Sequence, residues 1–487
     1  MKWFTDPIRL LSPEEMDRVH AASLRLLEDP GMKLHSAPLL DALAARGAKV
    51  DFDQRVVRFP TELVEQTLRE VRADRDRPTL PYSIHALSSL DASEYGTSFG
   101  GGCISFFDYP ARRSGEATVQ NMVDMLQLGQ ALDEVKTVGS PVLYLREQDG
   151  SLVDPRINVV RGAAIIAQNT AKMATAEVWN TRQLDYIIEI GCVARGSWEA
   201  YRARPCLYGV KECIAPLVMS SESCDILVAL VDRGLPCAIL SQPLAGASSP
   251  VMRASNIALA NAEILGAMTA LKAYRADAIV RGGAFTGILD MARGSSSFAA
   301  PEAALQDLAI YQIHSRRYGI DAGVGTVYID AKVPGAQASI ERTFKIFATL
   351  ACGKATYSCG IIEGGRTFSP EQAMIDIEIG KCIHRFVRGI AVDDATLAVD
   401  LVREVGIGGE FISHPHTLKN YRSELWHPKL LDRGLVELTD LKEDGLVERA
   451  YDQWTHVLRT HEPYRLADAQ IAEIRRIVAS AERELLG

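Results

Sequence analysis

No apolar run reaches the roughly 18 residues that a membrane-spanning helix requires. The nearest, Ile257 to Leu271, is broken by Asn261 and Glu263. The opening Met1-Lys2-Trp3-Phe4-Thr5-Asp6-Pro7 lacks the apolar core and small-residue cleavage site of a secretory signal, so the expected location is cytoplasmic. Also missing is any Lys/Arg block: 53 basic against 62 acidic residues leave a net charge of −9. Dispersed basic residues on an acidic chain do not make the electrostatic footprint of a nucleic-acid binder, and small molecules or proteins are the expected partners. The nine cysteines (103, 192, 206, 213, 224, 237, 352, 359 and 382) are odd in number and scattered, with no C-x-x-C. They read as reduced, buried thiols, with no disulfide, structural zinc or tightly bound metal expected. No strand-to-helix turn carries G-x-G-x-x-G or G-x-x-x-x-G-K-[ST]; Gly100 to Gly102 precede a β-like run and make a poor phosphate loop.

What is present is ordinary globular material, 47% hydrophobic and 24% charged, which argues against disorder or a fibre. Ser12-Pro13-Glu14-Glu15 ahead of Val19, Ala22, Leu24, Leu26 and Leu27 predicts a capped helix over 12–28. Helices near 37–46 and 61–72 flank a short strand at Val56 to Phe59, and β-like stretches follow near 82–87 and 97–108. From about residue 135, short β-branched runs alternate with helical patterns, the signature of β-α units. Candidate strands begin near Thr137, Lys172, Pro205, Pro236, Ala278, Ile320 and Ala355, with room for an eighth near Phe386 to Val392. This spacing predicts an α/β fold with a (β/α)8 TIM barrel over 131–400, an N-terminal α+β appendage over 1–130 and a C-terminal extension over 401–487. The extension comprises a helix at Leu397 to Glu404, a loop-rich stretch over 405–435 and a closing helix from Ala467 to Leu486. An open doubly wound sheet is the alternative.

In a barrel the active site lies at the C-terminal strand ends. The residues there include Glu177, Trp179, Tyr208, Lys211, Glu212, Ser241, Gln242, Arg281, Tyr328, Asp330, Tyr357, Cys359 and Glu363. Rings and carboxylates together suit a cation, because a ring face attracts an ammonium through its quadrupole and a carboxylate adds Coulomb attraction. Trp179, Tyr208, Tyr328 and Tyr357 serve equally well as caps on a barrel core. Glu212 and Glu363 follow apolar strands, where a lone buried carboxylate is costly; solvated loop carboxylates or partners for Lys211 or Arg366 are the alternatives. Asp330 and Lys332 form either a charged hook or a surface ion pair. Phe99 and Phe107 belong to a Gly-rich aromatic run that reads as a flap over the barrel mouth or the edge of a small sheet. Cys359 lacks a neighbouring His and reads as packing. His414-Pro-His416 places two imidazoles on one side if extended, short of a complete metal site.

Several stretches together resemble the trimethylamine methyltransferase family of corrinoid-dependent methyltransferases. They are Phe99-Gly-Gly-Gly with Asp108-Tyr-Pro-Ala-Arg-Arg-Ser-Gly-Glu-Ala-Thr118, Pro243-Leu-Ala-Gly-Ala247 ahead of Asn261-Ala-Glu263-Ile-Leu-Gly266, and Asp330-Ala-Lys332-Val-Pro334-Gly-Ala-Gln337-Ala-Ser-Ile-Glu341. Arg388-Gly-Ile-Ala-Val-Asp393-Asp, Val405-Gly-Ile-Gly-Gly409, His414-Pro-His416-Thr and Leu430-Leu-Asp432-Arg433 continue the match over nearly the whole chain. The resemblance implies a (β/α)8 barrel that moves a methyl group from an amine to the cobalt of a corrinoid (cobalamin-type) cofactor held on a separate small protein. Founding members carry pyrrolysine, and no such residue stands in this sequence. That directs the expectation to the branch that demethylates quaternary amines such as glycine betaine or related betaines, with a catalytically silent betaine-binding or corrinoid-protein-binding scaffold as the alternative. The expected catalytic residues are Tyr357, Glu363 and Glu212. The expected substrate-binding residues are Trp179, Tyr208, Tyr328, Asp330, Lys332, Arg281, Phe99 and Phe107. Two positions depart from the family pattern: Gly246-Ala-Ser-Ser-Pro250-Val-Met252-Arg253 after the fourth strand, and Gly335 in place of the usual Asp. A homo-oligomer is expected for an enzyme of this size.

Overall fold

The computed structural model describes residues 7–75, 96–140, 142–147, 149–325, 328–354, 356–434 and 445–487, with the side chains of Arg75 and Tyr208 left out. The expected β-like stretch near 82–87 lies outside them. Helix Pro13–Glu28 begins as its sequence dictates: the Ser12 hydroxyl accepts from the Glu15 N–H at 3.2 Å, and the Glu15 carboxylate accepts from the Ser12 N–H at 2.8 Å. Helices Ala37–Ala45 and Thr61–Arg75 and strand Val56–Arg58 also stand where expected.

The chain is a mixed α/β fold whose centre is two parallel sheets. One runs in the order Thr356–Cys359, Gly96–Phe99, Val135–Val138, Met173–Thr175, Leu207–Tyr208. The other runs Val210–Glu212, Cys237–Ser241, Val280–Ala284, Ala322–Val324. Gly209 alone separates Leu207–Tyr208 from Val210–Glu212, so one short strand passes from the first sheet into the second. Among the described residues no hydrogen-bonded ladder joins Ala322–Val324 to Thr356–Cys359.

Seven strands begin close to the expected positions, but the eighth does not lie at Phe386 to Val392. Helix Pro370–Val387, capped by Ser369, runs through Phe386, and Ile390 and Val392 beyond it are exposed. The missing strand is Gly96–Phe99, inserted between Thr356–Cys359 and Val135–Val138.

The apolar run Ile257 to Leu271 belongs to helix Arg253–Tyr274, which packs on the second sheet and beneath helices Pro13–Glu28 and Ala37–Ala45. Being covered on all sides explains its all-round apolar character. Its two polar interruptions are satisfied. Asn261 donates to Ser23 Oγ and Tyr318 Oη, both at 2.9 Å, and Glu263 accepts from Ser241 Oγ at 2.6 Å and the Leu217 N–H at 2.8 Å. Behind strand Thr356–Cys359, the wholly buried Arg342 and Asp376 pair at 3.0 Å. Arg342 also donates to the Ser358 and Ile361 carbonyls, and Asp376 accepts from the Gly360 N–H.

Gly335, singled out above as a departure from the resembled pattern, caps helix Ala336–Ala351 with φ at 132°, a conformation that favours glycine. The stretch expected as loop-rich over 405–435 contains helix Pro415–Glu424, begun by His414, whose Nδ1 accepts from the His416 N–H at 3.1 Å. The two imidazoles are therefore not side by side on an extended strand. A further helix, Leu446–Thr460, escaped the sequence reading; it packs on Pro370–Val387, and its Trp454 donates to Glu371 Oε1 at 2.9 Å.

Candidate functional site

All eight parallel strands contribute to one cavity of about 250 Å³. Period-two alternation turns every second residue of a strand inward. Thr97, Thr137, Met173, Ala238, Arg281 and Thr356 line it toward the strand beginnings, joined by Lys354. Toward the strand ends it is lined by Gly100, Gly101, Gly139, Glu177, Glu212, Phe285 and Tyr328. Glu212 is exposed at that end, whereas Lys354 is buried at the other, so the cavity has an open mouth and a closed floor.

Two carboxylates stand at the mouth. Burial raises the Glu177 carboxyl above its ordinary range, the Glu212 carboxylate raises it further, and Lys211 opposes both. The Glu212 carboxyl is likewise raised, by the surrounding protein first, with Lys211 again opposing. Tyr328 faces them: burial, Cys103, Glu212 and Glu177 push its hydroxyl up to about 12, so it stays protonated at neutral pH. Its ring is braced edge-on by Phe298 at 5.3 Å and Phe285 at 6.2 Å between centroids. Gly365 lets the turn above approach, since a Cβ there would fall 2.7 Å from the Tyr328 ring.

The floor has the opposite sign. Arg281 pairs with Asp321 at 2.8 Å and Lys354 with the other Asp321 oxygen at 2.6 Å, two cations on one carboxylate. Burial lowers the Lys354 ammonium from its ordinary value, Asp321 opposes that, and Arg281 adds to it. The cavity thus runs from a net-positive floor to a mouth of carboxylates and rings.

The family model for trimethylamine methyltransferase (MTTB) matches residues 3–485. The chain belongs to this family. Trimethylamine methyltransferase MttB of Desulfitobacterium hafniense (strain DSM 10664 / DCB-2) is 30% identical over 482 residues, 97% of this chain and 94% of the relative. The glycine betaine methyltransferase of Desulfitobacterium hafniense (strain Y51) is 24% identical over 483 residues, covering 98% of each. The solved structure of the Methanosarcina barkeri monomethylamine methyltransferase (MtmB) shares the fold, with a TM-score of 0.51 over 98% of this chain and 88% of that one at 10% identity. The chain is a methyltransferase of the trimethylamine methyltransferase family.

Of the residues singled out in the sequence of this family member, Glu212, Tyr328 and Arg281 line the cavity, Arg281 at its floor and not its rim. Tyr357 contributes only from within its strand: its hydroxyl lies against Gly380 of helix Pro370–Val387, so the ring points outward. Phe99 likewise turns out, packing against Gly129 and, at 5.4 Å between centroids, Phe368. Phe107 is buried away from the cavity, and half-buried Trp179 lies against Tyr144 with the rings tilted at 52° and centroids 5.7 Å apart. Asp330 is committed to structure: it accepts from the Phe298 N–H at 2.9 Å and the Ser297 hydroxyl. Lys332 is exposed and does not line the cavity. Glu363 accepts from Thr367 Oγ1 at 2.6 Å, beside the mouth but outside the lining. Tyr208 has its backbone in the sheet, and its side chain is outside the described set. Cys359 is a buried thiol turned toward the Ser98 carbonyl. Three participants went unselected. Glu177 was visible beside Trp179, Phe285 lies four residues past Arg281, and Lys354 immediately precedes the last strand. Among the described residues no group of three His, Cys, Asp or Glu side chains is placed to hold a metal.

Proposed function

We propose that this chain moves a methyl group from a quaternary ammonium of the betaine class to the Co(I) of a corrinoid carried by a separate protein. The observation that carries this reading is the pairing of Glu177 and Glu212 with the Tyr328 and Phe285 rings around one opening. Two carboxylates at one opening, only partly offset by Lys211, attract a cation, and ring faces bind an onium in preference to a hydrated metal ion. Arg281 and Lys354, sharing one Asp321, supply the excess positive charge that a substrate carboxylate would neutralise at the floor. A betaine carries charges in that arrangement.

A quaternary ammonium already bears the charge, so the breaking C–N bond leaves its electron pair on nitrogen and a neutral tertiary amine departs. No activating residue is then needed, in keeping with a sequence that has no pyrrolysine. The bound corrinoid would supply the Co(I) electron pair that makes the new bond to carbon. Glu177 and Glu212 hold the onium, the rings exclude water, and the floor fixes the far end so that one N-methyl faces outward; catalysis is chiefly positioning. A cavity of about 250 Å³ fits a small amine and not a corrin ring, which supports a corrinoid that meets the methyl at the mouth. The shared cavity also supports reading the eight parallel strands as a closed (β/α)8 barrel with substrate at its C-terminal face.

The test is to incubate the full chain with cobalamin reduced to Co(I) and a panel of quaternary amines, following the demethylated amine by mass spectrometry. Transfer from a betaine is the expected result. Betaine binding without transfer, or transfer from none of the panel, would contradict the betaine reading.

A further inference from the structure

Behind the wall that carries the rings lie two charged side chains that the reaction does not use directly. Asp307 of helix Pro301–Gln312 and Lys345 of helix Ala336–Ala351 are each 2% exposed. Burial raises the Asp307 carboxyl and lowers the Lys345 ammonium from their ordinary values, and each is the first group to oppose the other's shift. Arg342, Asp330 and Glu341 also act on Lys345. Among the described residues no hydrogen bond joins Asp307 to Lys345; their hydrogen bonds run to other stretches of chain. The buried pair Lys272 and Asp74 differs in that its two charges bond each other, and neither residue lines the cavity.

Lys345 Nζ donates to the Phe298 and Tyr328 carbonyls, both at 2.8 Å. Asp307 Oδ1 accepts from the Thr286 N–H at 2.7 Å and from the Thr286 hydroxyl at 2.8 Å. Its other oxygen lies so near Gly325 that a Cβ there would fall 2.0 Å from it. These are the attachment points of the ring cluster: Thr286 follows Phe285, and Phe298 and Tyr328 carry the other two rings. The three ring-bearing residues are half-buried and stand just past strands Val280–Ala284, Ser295–Ser297 and Ala322–Val324, beyond the ladders that fix backbone elsewhere. Phe298 is held on both sides, because Asp330 accepts from its N–H at 2.9 Å while Lys345 takes its carbonyl. A fully buried charge is expensive to hold, and a charge-assisted hydrogen bond fixes its partner more firmly than a neutral one. Both charges are thus set where they fix the backbone from which the Tyr328 and Phe285 rings project.

We propose that Lys345 and Asp307 are positioning residues that set the spacing of the Tyr328 and Phe285 rings from behind the cavity wall, and so decide how bulky an ammonium group the opening admits. This rests on reading the opening as an onium site. The test offers the full chain and Co(I) cobalamin two substrates in one vessel, glycine betaine and its bulkier N,N-diethyl-N-methyl analogue. The ratio of the two demethylated products depends on discrimination and not on how much of the chain is folded. K345M and D307A should each shift that ratio about tenfold toward the bulkier substrate, whereas K272M, which breaks a buried pair elsewhere, should leave it as in the wild type. The double variant D307N/K345M removes both charges together and replaces any single variant that does not fold. Should the wild type demethylate neither compound, the betaine reading fails, and crystal structures of the same proteins then decide the positioning role. The Tyr328 ring should stand about 1 Å or more from its wild-type place in K345M and be unmoved in K272M. A product ratio unchanged in K345M and D307A, an equal change in K272M, an unmoved Tyr328 ring where no transfer occurs, or failure of both K345M and the double variant to fold would overturn the proposal.

Discussion

Glu177 and Glu212 are costly where they stand. Both carboxyls are raised above the ordinary range, chiefly by desolvation against the surrounding protein, Glu177 being half-buried and Glu212 partly open to solvent at the mouth, so the folded chain holds their protons more tightly than the unfolded chain does. Their contribution to stability is greatest below the ordinary carboxyl value, about pH 4.3, and is lost as pH rises through the raised one. Binding of a permanent cation runs the other way, because it needs the ionised form. E177Q or E212Q should therefore leave the melting temperature unchanged or higher at neutral pH while raising KM for a quaternary amine about tenfold. In the wild type KM should fall as pH rises through the raised carboxyl range, and the double variant should show a flat profile. The proposed reading assigns onium binding to the Tyr328 ring and not to its hydroxyl, so steady-state kinetics should show Y328F close to wild type and Y328A about tenfold weaker in KM. The placing of Glu212 and Tyr328 along the cavity was legible in the sequence because one ends a short strand and the other follows one. Tyr357 and Phe99 misled because side chains alternate across a strand, and a shift of one residue exchanges cavity for outer layer. Sequence spacing does not reveal which parity faces in.

The outer layer is where Tyr357 acts. A Cβ on Gly380 would fall 1.8 Å from the Tyr357 hydroxyl, so strand Thr356–Cys359 and helix Pro370–Val387 fit only because that position is bare. G380A should destabilise the chain by about 1–3 kcal/mol in urea unfolding, and adding Y357F should restore part of the loss. Beside it, removing Arg342 would strand Asp376, whose carboxyl burial already pushes up to about 6 despite that partner. R342M should cost about 3–5 kcal/mol, read as a lower urea midpoint. Most elements were legible from capping residues and from apolar periodicity, as with Ser12 before Pro13–Glu28. Strand Gly96–Phe99 lies in a stretch read as β-like but was not recognised as the eighth, because one of its two partners, Thr356–Cys359, lies far along the chain. The apolar residues from Phe386 to Val392 imitated it while belonging to a helix end and the exposed segment that follows it.

At the scale of the whole molecule the two ends differ in purpose. The mouth gathers negative charge and rings, and the floor holds an excess of positive charge. The central claim is that the mouth grips an onium and surrenders one of its methyl groups. The most direct test supplies the full chain and Co(I) cobalamin with equal amounts of glycine betaine and trimethylamine and follows both demethylated products by mass spectrometry. Loss of one methyl from the betaine, with trimethylamine untouched and the betaine reaction sharply reduced in E212Q, is the predicted result. Demethylation of trimethylamine at a comparable rate, or betaine turnover indifferent to E212Q, would contradict it.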